Sequence, residues 1–286
     1  MSESSAEQTA PASPDDADDL RGHYFKLLLR KPLTQALVAA AAIAAGIAGA
    51  AIVGPGVGAA AFFAGLLIAL LIVFAIADSH SEDAFFDSYA SQRQMTVGGK
   101  QELPPFTPLL RKGDDRYAER TLTGPFADGL DGVLALYTYE EETTDSKGNR
   151  QTNYYRYTIG LTQVSECAEL VPELYCQRKF GLRALEKLED AFRGSKERVK
   201  LESEALDERY EIFANEAQDQ VWLRRLFSPT FIVWLGEQAP EKFAFELVEG
   251  MLCCYVGGHK ENAAELDIVR AASTAVATRL REEAAE

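Results

Sequence analysis

Between residues 32 and 77 the chain carries no charged side chain at all. One helix crosses a bilayer with roughly 20 apolar residues, so a run this long holds two crossings rather than one. The stretch GPGVG at 54–58 marks the division, because three glycines and a proline end a helix and permit a tight reversal. The spans are therefore expected at 33–53 and 59–77. The run is far longer than the apolar core of a signal peptide, and an acidic leader precedes it, which excludes that reading.

The two spans differ in quality. AFFAGLLIALLIVFAIA, in the second, is apolar enough to insert unaided, whereas the first is mostly alanine. Small residues recur every fourth position in both: Ala42, Gly46, Ala50 and Gly54, then Ala61, Gly65 and Ala69. Such faces let helix backbones approach closely in lipid, which makes them the expected packing surfaces, toward another membrane protein or a second copy.

Orientation follows from the basic residues. Arg21, Lys26, Arg30 and Lys31 precede the first span, and the turn between the spans is uncharged. The positive-inside rule then places the N-terminus, and everything after residue 77, in the cytoplasm, as for a multi-pass membrane protein with two helices. Four cysteines in no disulfide-like spacing agree with a reducing compartment.

The net charge of −15, with no basic stripe, excludes nucleic acid as a general partner. Within the leader, Glu3, Glu7, Asp15, Asp16, Asp18 and Asp19 have no basic counterpart before Arg21, which is the composition of a disordered tail. HYFKLLLRK, just before the first span, mixes bases with aromatics and leucines and is expected at the membrane surface. Four segments result: a leader at 1–31, the hairpin at 32–77, a juxtamembrane helix and linker at 78–116, and a cytoplasmic domain at 117–286.

After the hairpin, Ser79 with Glu82 fits a capping box and predicts a helix starting there and ending near residue 95. Capping accounts for the acids around His80 better than metal binding does. Three prolines and three glycines make 97–116 a linker. Strands are predicted at 117–124, 133–142 and 152–164, the last two joined through DSKGNR, and Tyr137, Tyr139, Tyr155 and Tyr157 would then form an aromatic patch. Further strands are predicted at 172–180, 198–203 and 209–215, with a helix at 184–192. Asn215 is read as opening a helix through Trp222, and Ser228 with Pro229 starts another. Arg224 and Arg225, beside Trp222, are candidate contacts for an acidic partner, and Tyr155 and Tyr157 belong with them as a candidate interaction surface.

GMLCCYVGGH at 250–259 resembles a metal or redox site until the residues before it are included. FAFELV, then Glu249 and Gly250, then MLCCYV is a hairpin in which Phe245 faces Cys254 and Glu246 faces Cys253. Neighbouring strand residues point to opposite faces, so the two thiols do not converge on one ion. The tail, 263–286, repeats Leu266, Val269, Ala272, Val276 and Leu280 along one helical face and is expected to pack across the sheet. The fold class is therefore α+β, mainly antiparallel, with helices on one face.

No phosphate loop, nucleophile elbow, HExxH, CxxC or dinucleotide fingerprint occurs in the chain, so no cofactor or metal is expected. Val199, Leu201 and Glu202, the aromatic strand at 210–213, Asp219, the junction at 227–229 and the strand pair at 243–256 together resemble a bacterial membrane family, domain of unknown function 3137. Two membrane helices before such a domain are similar to that family as well. The resemblance implies this architecture and carries no catalytic residues. The leading expectation is a membrane-anchored binding or scaffold module without catalysis, with the bilayer and a membrane protein or a second copy as partners. The alternative is a membrane-associated hydrolase or transferase using carboxylates near Arg224 and Arg225.

Overall fold

A computed structural model describes residues 17–144, 148–178, 196–201 and 203–286. The predicted helix at 184–192 and the acidic leader before residue 17 lie outside them. The described residues divide into two compact units, one running to Tyr89 and one comprising most of the remainder.

The first unit is helical. Helix α1 (Ala17–Arg30) leads into α2 (Pro32–Ile52), and α2 turns back into α3 (Pro55–Gln92). The reversal is tighter than GPGVG predicts. It takes only Val53 and Gly54, the latter at φ 126°, a conformation that favours glycine, and Pro55 is already the first residue of α3. Gly56 and Gly58 are helical. No new helix begins at Ser79 either. Apolar and polar segments join without a break in one 38-residue helix, so the anticipated capping box never forms, and Ser81 Oγ instead donates to the Asp78 carbonyl at 2.7 Å.

The second unit is built on a nine-stranded antiparallel sheet in the order β1-β2-β3-β4-β9-β8-β5-β7-β6. Its strands are β1 (Thr96–Gly98), β2 (Asp115–Ala127), β3 (Leu130–Thr144), β4 (Arg150–Gln163), β5 (Glu173–Arg178), β6 (Lys196–Arg198), β7 (Tyr210–Asn215), β8 (Ala244–Val248) and β9 (Met251–Gly257). Strand β6 ends at Arg198, where a strand through 203 was expected. The chain then forms a short helix, α4 (Glu204–Arg209), capped by Ser203, whose hydroxyl accepts from Leu206 N–H. Helices α5 (Gln220–Leu226) and α6 (Pro229–Glu237) follow β7. Asp219, not Asn215, caps α5, because Asn215 spends its side-chain oxygen on Ala217 N–H in the preceding turn. Ser228 and Pro229 start α6 as the sequence predicts.

The β8–β9 hairpin at the middle of the sheet has the register read from the sequence, with Phe245 opposite Cys254 and Glu246 opposite Cys253. Its turn residues, Glu249 (φ 49°) and Gly250 (φ 80°), are both left-handed, as a two-residue turn matched to strand twist requires. Both faces of the hairpin are buried. Helix α7 (Ala263–Ala284) covers the Cys254 face through Leu266, Val269, Ala272, Val276 and Leu280. It seats closely because Gly160 has no side chain: a Cβ there would lie 2.2 Å from Ser273 Oγ. Trp234 of α6 meets Phe243 edge-on, with ring centroids 5.9 Å apart.

The opposite face is closed by the supposed linker. Leu109 and Leu110, in a single 3-10 turn, are fully buried with Tyr137, Tyr139, Ile159, Cys253 and Tyr255. The segment 103–112 is thus a strap. Its prolines keep it out of regular structure, while its leucines supply the apolar surface that this sheet face lacks.

Candidate functional site

In the helical unit the small residues are the contact. A Cβ on Gly65 would lie 2.7 Å from the Ala45 Cβ, one on Gly58 would lie 2.6 Å from the Ala50 Cβ, and one on Gly49 would lie 2.7 Å from the Ala61 Cβ. Ala42 is fully buried and Ala69 nearly so. The small faces are therefore turned toward each other inside the hairpin, not outward toward a partner. Gly54 is the exception, since it serves the turn and has no neighbouring atom where its side chain would be. Near the start of the hairpin α1 packs on α3, with Phe25 edge-on to Phe74 at 5.7 Å between centroids. The outward side chains are large and apolar, among them Leu37, Ile47, Phe63, Leu67, Ile68 and Leu71.

In the sheet unit the tyrosines of β3 and β4 come together as expected, but as a wall of the core. Tyr139 stacks on Tyr155 and Tyr157, with centroids 4.8 and 5.9 Å away, and Tyr157 meets Tyr255 edge-on. Tyr157 is 3% exposed, so of the two tyrosines proposed for a surface only Tyr155 reaches solvent. Burial raises the pKa of Tyr137, Tyr139, Tyr157 and Tyr255, which keeps their hydroxyls neutral in the physiological range.

Against this wall sits a buried carboxyl that sequence reasoning missed. Glu246 is fully buried, accepts Leu109 N–H at 2.9 Å, and lies 3.4 Å from the Tyr255 hydroxyl. Burial raises its pKa, opposed by the Leu109 hydrogen bond and the positive charge of Lys112. Lys112 is 4% exposed, and burial lowers its pKa to about 8 against the attraction of Glu246 and Glu141. The Leu109 hydrogen bond to Glu246 ties the strap to the sheet. The available signal was Glu246 as the lone acid in an otherwise apolar strand.

The remaining candidates separate. Trp222 is 5% exposed and belongs to the core. Arg224 is exposed. Arg225 pairs through Nε with Glu283 Oε1 at 2.7 Å, and Arg279 holds the other Glu283 oxygen at 2.8 Å while donating to the Leu226 carbonyl at 3.0 Å. Glu283 is itself buried, so this cluster clamps α5 to α7, and Arg225 is committed to the clamp. A cleft of about 370 Å³ opens elsewhere, between α4 and α6, lined by Leu206, Pro229, Ile232 and Val233. Its cation, Arg209, donates to the Gly236 carbonyl.

Cys253 and Cys254 are free and fully buried on opposite faces, and burial raises both thiol pKa values, the condition of unreactive core cysteines. His259 lies in the following loop with Nε2 at 3.2 Å from both Thr138 Oγ1 and the Tyr137 carbonyl. Among the described residues no group of three or more His, Cys, Asp or Glu is placed to hold a metal ion.

No family model matches the chain, so the likeness to domain of unknown function 3137 rests on the residues quoted above. No curated protein matches it in sequence. A solved structure of mycobacterial trehalose monomycolate transport factor A is similar at a TM-score of 0.45 and 9% identity, over 69% of this chain and 91% of that one.

Proposed function

We propose that the protein is a membrane-anchored binding or scaffold module, a hairpin anchor carrying an α+β domain. The hairpin α2–α3 spans a bacterial inner membrane, and both chain ends and the α+β domain lie in the cytoplasm. The observation that carries this reading is the pair of helices long and apolar enough to cross a bilayer, with small residues facing inward and large apolar ones outward. In water that outward face would be a large exposed apolar patch, which soluble monomers avoid. The basic residues before α2 and the uncharged turn supply the orientation. A binding role is favoured by the sealed core of the sheet unit, where Glu246, Lys112, Tyr137, Tyr139, Tyr157 and Tyr255 are closed off.

Topology is tested by thiol labelling with a membrane-impermeant reagent in intact and permeabilised cells. All four native cysteines are buried, so Glu208→Cys, on an exposed position of α4, supplies the reporter. Labelling after permeabilisation only is the expected result. Labelling of intact cells places the domain outside and overturns the reading.

A further inference from the structure

Among the described residues, three of the places where a strand lacks a neighbour stand out, and they are not equivalent. At its two ends β1 and β6 have only three residues each, and short edge strands are a common protection against unwanted pairing. The third lies inside the sheet. Strand β9 accompanies β4 only between Tyr157 and Gln163, and β2 accompanies β3 only as far as Glu140. Residues 141–144 and 150–156 therefore run on as a two-stranded arm. Two-stranded ribbons are marginal by themselves in water.

The backbone groups on the outer side of the arm can be assigned. Successive residues of an antiparallel strand direct their N–H and C=O to opposite sides. Gly258 N–H donates to the Arg156 carbonyl at 2.8 Å and Val164 N–H to the Gly250 carbonyl at 2.7 Å, so even-numbered residues of β4 point away from β3. The β3–β4 register runs without a bulge to Arg150. Arg150, Thr152 and Tyr154 thus present their N–H and C=O groups along an open edge. Arg156, whose carbonyl is taken, bounds it on one side, and Gly148, at φ 83°, bounds it on the other. The edge contains no proline, lysine or acid.

We propose that this edge pairs with the same edge of a second copy, antiparallel and centred on Thr152. The centre follows from the bounds, since Thr152 lies midway between Gly148 and Arg156. That register sets Thr152 opposite Thr152, Gln151 opposite Asn153, and Arg150 opposite Tyr154. Hydroxyl, amide and cation–aromatic pairs across strands are each favourable, and no like charges meet. Sliding the centre to Asn153 would set Arg150 against Arg156 and call on a carbonyl already in use. Centred on Thr152 the edge is thus complementary to itself along its whole open length, which makes a second copy its occupant. The inference stands apart from the membrane reading, because it holds on either side of a bilayer.

Full-length protein in detergent provides the test. Thr152→Cys, at the twofold axis, is expected to form a disulfide-linked dimer under copper phenanthroline, while Thr143→Cys, on the far strand of the arm, is not. Light scattering is expected to give twice the protomer mass for the wild type. It should give the protomer mass for Thr152→Pro, which removes an outward N–H but none bonded to β3, and for Thr152→Lys, which sets like charges together at the axis. A wild type at the protomer mass at every concentration overturns the proposal. So does a dimer that both substitutions leave intact, or one in which Thr143→Cys cross-links as readily as Thr152→Cys.

Discussion

The helical hairpin and the sheet unit solve opposite packing problems with much the same set of apolar residues. In the sheet unit leucine, phenylalanine and tyrosine go inward, and the glycine at 160 lets a helix settle on the sheet. In the hairpin glycine and alanine go inward, and leucine, isoleucine and phenylalanine go outward. With the hairpin in lipid, as proposed, the difference follows what each solvent demands. Water rewards hiding large side chains. Lipid is as apolar as leucine itself and rewards close contact of backbones instead.

That contrast can be broken by experiment, starting where the effect is largest. Leu247→Ala, at a fully buried position of β8, should cost the sheet unit about 3 to 4 kcal/mol. Leu67→Ala, on the outward face of α3, should leave it unchanged. Urea midpoints followed by tryptophan fluorescence check both, because the two tryptophans, Trp222 and Trp234, lie in α5 and α6. Ile68→Arg places a charge on an outward position of α3 and should cost roughly 3 kcal/mol of insertion, read as lost membrane fractionation. Val221→Arg, at a residue of similar exposure (63% against 57%) in the sheet unit, should shift the urea midpoint by an amount within about 0.5 kcal/mol. If the two arginines behave alike, the division between lipid-facing and water-facing surfaces is wrong.

Smaller effects sharpen the comparison. Gly58→Val forces a side chain into the Ala50 contact and should loosen the hairpin by about 1 to 3 kcal/mol, visible as a lower melting temperature in detergent. In the sheet unit Glu246 provides a pH test. Its folded pKa is raised, so its contribution to stability is fully present below its unfolded pKa and is lost as pH rises through the folded value. Wild type should therefore gain on Glu246→Gln as pH falls from 7 toward about 4.5. The facing groups are Lys112 from the strap, Tyr137 from β3, Tyr157 from β4, Tyr175 from β5, and Cys253 and Tyr255 from β9. Urea midpoints at pH 4.5 and 7 measure the gap, and a gap independent of pH would mean that Glu246 stays in one protonation state throughout.

Where local rules acted alone, the sequence was readable. The β8–β9 register followed from strict alternation on both sides of a two-residue turn, and the buried face of α7 followed from helical spacing. Where tertiary structure overrode local preference, it was not. Ser79 and Glu82 have the pattern of a helix start, yet the helix was already running. The prolines around Leu109 have the composition of a linker, and only the sheet face awaiting cover makes a strap of them. Arg225 looked available until Glu283, 58 positions later in number and adjacent in space, took up its charge. Trp222 and Tyr157 carry polar atoms on large apolar bodies, and the core claimed the bodies.

The position of β8 and β9 in the sheet has a bearing on how the chain is made. They join β4 to β5, so the strands before them form two separate groups until this hairpin arrives. Yet they are encoded after every other described strand and just ahead of α7. At ribosomal speeds of about 5–20 residues per second, many seconds separate the emergence of α3 from that of β9. During that interval the nascent chain holds α1 to α3 complete and its sheet in halves, with Glu246 to come 137 positions after its partner Leu109. Loss of β8, β9 and α7 would leave α1 to α3 intact and the sheet permanently unclosed.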